Sequence, residues 1–191
     1  MRRQRMNTII VTGSVLGALA AFTGGCGPQA GANGGGGGAA GGGGTASEGQ
    51  IAPDIALPLK KGAAPVALSS WKGKVVLVDF WATWCGPCRQ SIPEVERVYE
   101  KYHAKGLEVV GISVDEAQTA AEVPAAVKEL KMTYPVVLYS DIPDIRTKYV
   151  FDGIPQMYLI DKKGNISQSI PGFDPSGNLD AKVEALLNAK D

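Results

Sequence analysis

An α/β sandwich built on a mixed sheet is the fold class that this sequence predicts, and three observations predict it. Two Val-rich apolar runs, 74–81 and 107–114, have the composition of strands buried on both faces. Segments with apolar residues at helical spacing separate the strands, so right-handed crossovers and a parallel core are expected. A third pattern, 156–161 and 165–170 around Lys162-Lys163-Gly164, reads as a hairpin and adds an antiparallel edge.

The elements follow in order. Lys74-Val-Val-Leu-Val-Asp-Phe-Trp81 is the first core strand. A helix is predicted from Pro87 to about Lys105, because Ile92, Val95, Tyr99 and Tyr102 fall at offsets 0, 3, 7 and 10 on one face. Leu107–Val114 is the second buried strand. Residues 117–131 read as a helix with Val123, Val127 and Leu130 facing inward. Pro135–Ser140 reads as a short strand, Ile142–Val150 as a short helical segment, and Asp180–Lys190 as a closing amphipathic helix.

Composition narrows the function classes. The chain has 191 residues, and its 19 Lys+Arg against 19 Asp+Glu cancel, which argues against nucleic acid as a partner. Its apolar fraction of 45% is enough for one real core. Three cysteines exclude a disulfide-stapled miniprotein, and a single histidine leaves little for a metal cluster.

Glycine is unevenly spread, with 16 of 25 before Gln50. Residues 1–26 read as a signal peptide: Arg2, Arg3 and Arg5 precede an apolar stretch, Ile9–Phe22. That stretch falls short of the roughly 20 residues a membrane-crossing helix needs. Thr23-Gly24-Gly25-Cys26 resembles a bacterial lipobox and makes Cys26 the expected lipidation site, although Thr23 stands where an aliphatic residue is usual. Cleavage after Ala30-Gly31-Ala32, an uncleaved anchor and soluble secretion are the alternatives. Residues 27–49 form a Gly-rich tether with 12 glycines and one charge, Glu48. Such a linker spans about 25–30 Å and is useful when its front end is anchored. Residues 50–191 are the folded domain. Gly36-x-Gly38-x-x-Gly41 matches a dinucleotide fingerprint only trivially, since no strand precedes it and no amphipathic helix follows.

The chemistry sits at Trp84-Cys85-Gly86-Pro87-Cys88. Two cysteines three apart at a helix start can close a small disulfide with little backbone movement. Cys85, ahead of the first turn, meets unpaired N–H groups and the positive end of the helix dipole, both of which stabilise a thiolate. Cys88, one turn in, is expected to be the more buried, resolving thiol. Pro87 suits a first turn because its missing N–H needs no partner there, and Gly86 leaves that turn uncrowded. Zinc would need four ligands, and only Cys26 and His103 remain to join the pair. An inert structural disulfide is the other alternative; a Cys-x-x-Cys at a strand-to-helix junction favours redox work.

Val78-Asp79-Phe80-Trp81-Ala82-Thr83-Trp84-Cys85-Gly86-Pro87-Cys88 resembles the thioredoxin active-site segment over its whole length. Ala52-Pro53-Asp54, Trp71-Lys72-Gly73-Lys74, Gly111-Ile112-Ser113-Val114-Asp115 and Gly153-Ile154-Pro155 extend the likeness to the TlpA/ResA-like branch of the superfamily. The resemblance implies a thioredoxin-like three-layer α/β/α sandwich and a thiol-disulfide oxidoreductase that needs no bound cofactor or metal. It also implies that Cys85 attacks the substrate disulfide, that Cys88 resolves the mixed disulfide, and that Asp79 relays the proton of Cys88. Physics agrees on Asp79, because a carboxyl among Val, Leu, Phe and Trp is desolvated and its pKa rises towards neutrality. Hydrogen-bond caps or a paired lysine are the alternatives. Pro155 resembles the family's cis-proline, which would leave the backbone of Ile154 free to pair with a substrate strand; a trans proline in a turn is the alternative. Trp84 either covers the disulfide or contacts substrate, along with Gly86, Pro87, Ile154 and Pro155.

The remaining readings are plainer. Trp81 is assigned to the core, Pro93 to a helix kink, and His103 to solvated surface. Gln156 follows the proline where the family often has Thr. The expected partners are protein disulfides, a membrane electron donor and a lipid anchor, with the chain acting as a monomer outside the cytoplasm of a bacterium. Gly-Pro between the cysteines matches reducing thioredoxins at about −270 mV; strong oxidants lie at about −120 mV. Val78 and Ala82 stand where a peroxiredoxin would need Pro and Ser or Thr, and the cysteine spacing is too short for a Sco-type copper chaperone. A non-catalytic binding module remains as the other class.

Overall fold

A computed structural model describes residues 45–176 and 178–190. The expected signal peptide, Cys26 and most of the Gly-rich tether lie outside the described residues. Strand β3 (Val75–Trp81) is the centre of the fold, and all seven of its residues are buried. It lies in a five-stranded sheet of order β5-β4-β3-β6-β7. Strands β4 (Leu107–Ser113) and β5 (Val136–Leu138) run parallel to β3, while β6 (Gln156–Ile160) is antiparallel to β3 and β7 (Ile166–Pro171) antiparallel to β6. The sheet is therefore mixed, as the sequence predicts. A separate two-stranded hairpin pairs β1 (Ala56–Leu57) with β2 (Val66–Ala67).

Alternation along β3 divides the core. Val75, Leu77 and Trp81 face one side with Cys85, Cys88, Ile92, Val95 and Val98 of helix α1 (Gly86–Tyr102). Helices α2 (Val123–Glu129) and α4 (Leu179–Asn188) complete that layer through Val123, Ala126, Leu179 and Val183. Val76, Val78 and Phe80 face the other side, against Ile55, Leu57, Ile145 and Tyr149. Ile145 belongs to helix α3 (Ile145–Lys148). Phe80 is ringed by Tyr139, Tyr149, Phe151 and Tyr158 at centroid distances of 4.7–6.2 Å. Each such buried side chain contributes about 1.5–3 kcal/mol by leaving water.

Several boundaries depart from expectation. The helix predicted over 117–131 shrinks to Val123–Glu129, preceded by a 3₁₀ turn at Ala120–Glu122. Pro124 explains this, since a residue without an N–H is accepted only in a first turn. The segment 142–150 keeps helix only over Ile145–Lys148, after Asp144 takes a left-handed φ of 58°. The strand predicted over 135–140 forms only at Val136–Leu138, and the segment after it is a 3₁₀ turn. The β1–β2 hairpin carried no sequence signal, because two-residue strands show no alternation.

Strand β7 is a sheet edge, and the segment Glu48–Gln50 covers part of it. Gly49 and Gln50 exchange backbone hydrogen bonds with Ile166, each of 2.8 Å, and a carboxylate oxygen of Glu48 accepts from the N–H of Ser169 at 2.7 Å. Such cover blocks edge-to-edge pairing with other chains. Gly106, with a φ of 104°, makes the turn between α1 and β4 and accepts from the N–H of Val75 at 3.0 Å.

Candidate active site

The site is built where β3 ends and α1 begins. The N–H of Cys85 donates to the carbonyl of Ala82 at 3.2 Å, and Cys85 takes an extended backbone as the residue before the helix. Its Sγ accepts from the N–H of Cys88 at 3.2 Å. That is the N-cap geometry in which a sulfur gains most from unpaired helix N–H groups. Pro87 lies within the first turn.

Cys85 and Cys88 form a disulfide, with 5.3 Å between Cα atoms. Cys88 is fully buried and Cys85 is 5% exposed, the order the sequence predicts. Trp84 is 63% exposed, so it stands out from the surface beside the bond. Gly86 and Pro87 are exposed as well.

The loop before β6 closes the other side. Ile154–Pro155 is a cis peptide, and the carbonyl oxygen of Ile154 lies 3.8 Å from Cys85 Sγ. Pro155 is buried and its carbonyl accepts from the N–H of Gly172 at 2.8 Å. The structure therefore brings Trp84, Cys85, Gly86, Pro87, Cys88, Ile154 and Pro155 to one place. Phe151 borders two concave surfaces: Trp84, Tyr139 and Arg146 line one, and Val150, Ile154, Pro155 and Gly172 the other. Gln156 is buried, and its amide donates to Ser169 Oγ at 2.9 Å and to the carbonyl of Met157 at 3.1 Å.

Asp79 lies on β3, on the face of the sheet that carries both cysteines. It is fully buried, and neither carboxylate oxygen has a hydrogen-bond partner among the described residues. Burial pushes its pKa from 3.8 to about 7. Neither alternative for this residue, capping hydrogen bonds or a paired lysine, is realised among the described residues. A carboxyl that titrates near neutrality can take up and return a proton.

Asp115 is a second buried acid that the sequence reading named but gave no role. It follows the end of β4 and accepts from the N–H of Thr83 at 2.9 Å, from Thr83 Oγ1 at 2.6 Å and from Ser113 Oγ at 2.7 Å. Burial pushes its pKa up, but hydrogen bonds from Thr83, Ser113 and Thr119 outweigh that and hold the carboxyl below its usual range. The contacts tie the loop two residues before Cys85 to the neighbouring strand. A lone acid just after a buried run was the available sequence signal.

Other assignments are corrected or kept. His103 is exposed, as expected, and its Nδ1 also lies 3.0 Å from the carbonyl oxygen of Leu107, with its ring 4.7 Å from that of Tyr99. Trp81 is fully buried, as expected. Pro93 lies inside α1, which continues through it. Glu96 of α1 was missed; it is buried and accepts from the N–H of Thr133 at 2.8 Å and from its hydroxyl.

Known proteins agree with this arrangement. The Redoxin family profile matches residues 47–187. The thiol-disulfide oxidoreductase ResA of Bacillus thuringiensis subsp. konkukian is 35% identical over 72% of this chain and 78% of its own length. The thioredoxin-like protein YneN of Bacillus subtilis is 34% identical over 72% of this chain and 79% of its own. A crystal structure from Chlorobium tepidum, described as a thiol:disulfide interchange protein DsbE, superposes with a TM-score of 0.66 at 34% identity, covering 75% of this chain and all of that one. The sheet order, the disulfide at the tip of α1 and these likenesses together make the chain a member of the redoxin family, a ResA-like thiol-disulfide oxidoreductase of the thioredoxin superfamily.

Proposed function

We propose that the chain is a membrane-tethered, extracytoplasmic reductase of protein disulfides that works through Cys85 and Cys88. The observation that carries this reading is the placement of Cys85 Sγ at the tip of α1, 3.2 Å from the N–H of Cys88 and bonded to its sulfur. In the reduced protein that N–H and the helix dipole stabilise the Cys85 thiolate. The thiolate attacks one sulfur of a substrate disulfide and forms a mixed disulfide, while the other substrate sulfur leaves as a thiolate and is protonated. Asp79 then accepts the proton of Cys88. The Cys88 thiolate attacks Cys85 Sγ, closes the internal disulfide and releases the second substrate sulfur as a thiol. Two electrons pass to the substrate in each cycle.

The cis Ile154–Pro155 loop supports a place for the substrate. The Ile154 backbone lies beside Cys85, so an extended polypeptide can pair with it while Trp84, Gly86 and Pro87 contact its flanks. Apocytochrome thiols in cytochrome c maturation and misoxidised envelope proteins are substrates of the right chemistry. Outside the cytoplasm no glutathione pool recharges a dithiol, so a membrane dithiol donor must return the two electrons. The basic start, short apolar stretch and Gly-rich tether support export, with a lipid on Cys26 as the anchor. The domain acts as a monomer at the end of that tether.

Cys88→Ala tests the cycle. It keeps the attacking thiol and removes the resolving one, so mixed disulfides with substrate proteins should accumulate while turnover ceases. A chain that traps nothing is a binding module. The potential of the Cys85–Cys88 pair decides direction: a value near about −270 mV fits a reductase, and one above about −150 mV an oxidase.

A further inference from the structure

Strand β4 passes beside Asp79, and the residue in register with it is Gly111. A Cβ on Gly111 would lie 3.2 Å from Trp81 Nε1, from Cε2 of Tyr134 and from a methyl of Val136. The indole nitrogen and the phenol ring thus close over the backbone at the point where a side chain would stand next to Asp79. Trp81 is two residues from Asp79 on β3, and so shares its face. Three polar side chains therefore converge around one glycine.

All three are buried, and none is satisfied. Asp79 Oδ1 and Oδ2, Trp81 Nε1 and the Tyr134 hydroxyl have no hydrogen-bond partner among the described residues. Single orphans of this kind cost stability, and a cluster of them is a mark of function. Their chemistry is complementary: the indole N–H only donates, the phenol can donate, and the ionised carboxylate only accepts. The helix layer on this face carries Cys85 at the tip of α1, Cys88, Glu94, Glu96, Tyr99 and Tyr102 within it, and Tyr134 beyond it, with half-buried Arg89 and Lys182 and exposed Arg97, Lys101 and Lys128 as its cations. Among the described residues none of these cations pairs with Asp79. Met157, the β6 neighbour of Asp79, carries no charge. The negative charge of ionised Asp79 is answered here by dipoles alone.

We propose that Tyr134 is a positioning residue for the proton on Asp79, its buried O–H and the Trp81 N–H supplying the dipoles that stabilise the carboxylate. This rests on Asp79 acting as the base for Cys88. Burial raises the carboxyl, and in the ionised form the two nearby donors are the groups that can turn towards it. Gly111 is what allows the rings to come this near. Tyr134 itself is held from both sides, by its ring edge against Tyr99 at 5.8 Å and by the Glu96–Thr133 hydrogen bonds next to it in the chain.

The test is Tyr134→Phe, which keeps the ring and removes the hydroxyl. The Asp79 carboxyl carbon is followed by NMR titration, and the resolving step is timed by release of a thiol from a mixed disulfide. Losing one donor raises the pH at which Asp79 ionises, so resolution slows roughly three- to tenfold at pH 7 and recovers at higher pH. A purely structural tyrosine would lower stability and leave the midpoint in place, and that result overturns the inference. A second measurement needs no variant: in the unmodified protein the Tyr134 phenol carbon should shift at the pH where Asp79 titrates, and a flat response also overturns it. Trapping by Cys88→Ala reports on the redox cycle separately, so failure here leaves that reading standing.

Discussion

Asp79 and Asp115 both expose almost no surface, on or just beyond neighbouring strands, but Asp79 lies much deeper in the fold, and the two behave in opposite ways. Asp115 receives hydrogen bonds from Thr83 and Ser113 and is held ionised. Asp79 receives none, and its pKa climbs to about 7. Low exposure alone therefore does not decide what a carboxylate does. Depth and donors decide together: Asp115 fixes the loop that presents Cys85, and Asp79, left without donors, is the acid that the proposed cycle uses to exchange a proton.

Asp79→Asn should break the comparison most. Because the folded pKa of Asp79 is raised, the native state binds more protons than the unfolded chain between about pH 4 and 7, and stability falls as pH rises through that window. Above it the penalty reaches about 4 kcal/mol, since each pKa unit is worth about 1.4 kcal/mol. Asparagine removes that slope, so urea unfolding at pH 8 should find the variant more stable by up to about 4 kcal/mol, with the gain vanishing at pH 4. Resolution of a mixed disulfide should slow by about 10²-fold, the usual loss for a missing general base. A variant that gains stability at high pH and keeps its rate would strip Asp79 of its role.

Asp115→Ala tests the opposite arm. It leaves the Thr83 N–H, the Thr83 hydroxyl and the Ser113 hydroxyl without their acceptor in a buried setting, at a cost of about 3 kcal/mol. Its pH dependence has the reverse sign. The folded pKa of Asp115 is lowered, so its contribution is present above the unfolded value of 3.8 and is lost as pH falls through the folded one. Acid should thus bring wild type and variant together in unfolding experiments. Asp115→Asn, which keeps one acceptor oxygen, should fall between the two.

What the sequence made legible follows from the same contrast. The strand around Asp79 could be read because both of its faces are buried, so every residue but the acid is apolar and the exception stands out. The cysteine pair could be read because residue type and spacing carry its chemistry, and Pro155 because the family resemblance gave it a place. Asp115 could not be assigned, because its donor Thr83 is 32 residues away and only strand pairing brings them together. Tyr134 and Gly111 were silent for the same reason: a tyrosine before a proline and a glycine in a strand say nothing of an acid on the next strand. The shortened α2 was legible in principle, since Pro124 already limits where a helix can start. The hydrophobic period alone overran it.

A third acid, Asp180, sharpens the comparison by adding water. It receives Lys101 at 2.8 Å and Arg97 at 3.2 Å across the α1–α4 contact, and its side chain stays 24% exposed. The Lys101 hydrogen bond, with Arg97 beside it, holds the Asp180 carboxyl below its usual range. On direction alone Asp180 thus resembles Asp115. The difference lies in what replaces the lost partner: solvent can hydrogen-bond both cations once the carboxylate is gone, whereas nothing reaches Thr83 and Ser113 inside the fold. Asp180→Asn should therefore shift the melting temperature by about 2 °C or less, and that small loss should fade further in 1 M salt. A shift as large as that of Asp115→Ala would mean that charge, and not the absence of a substitute donor or acceptor, sets the worth of these carboxylates.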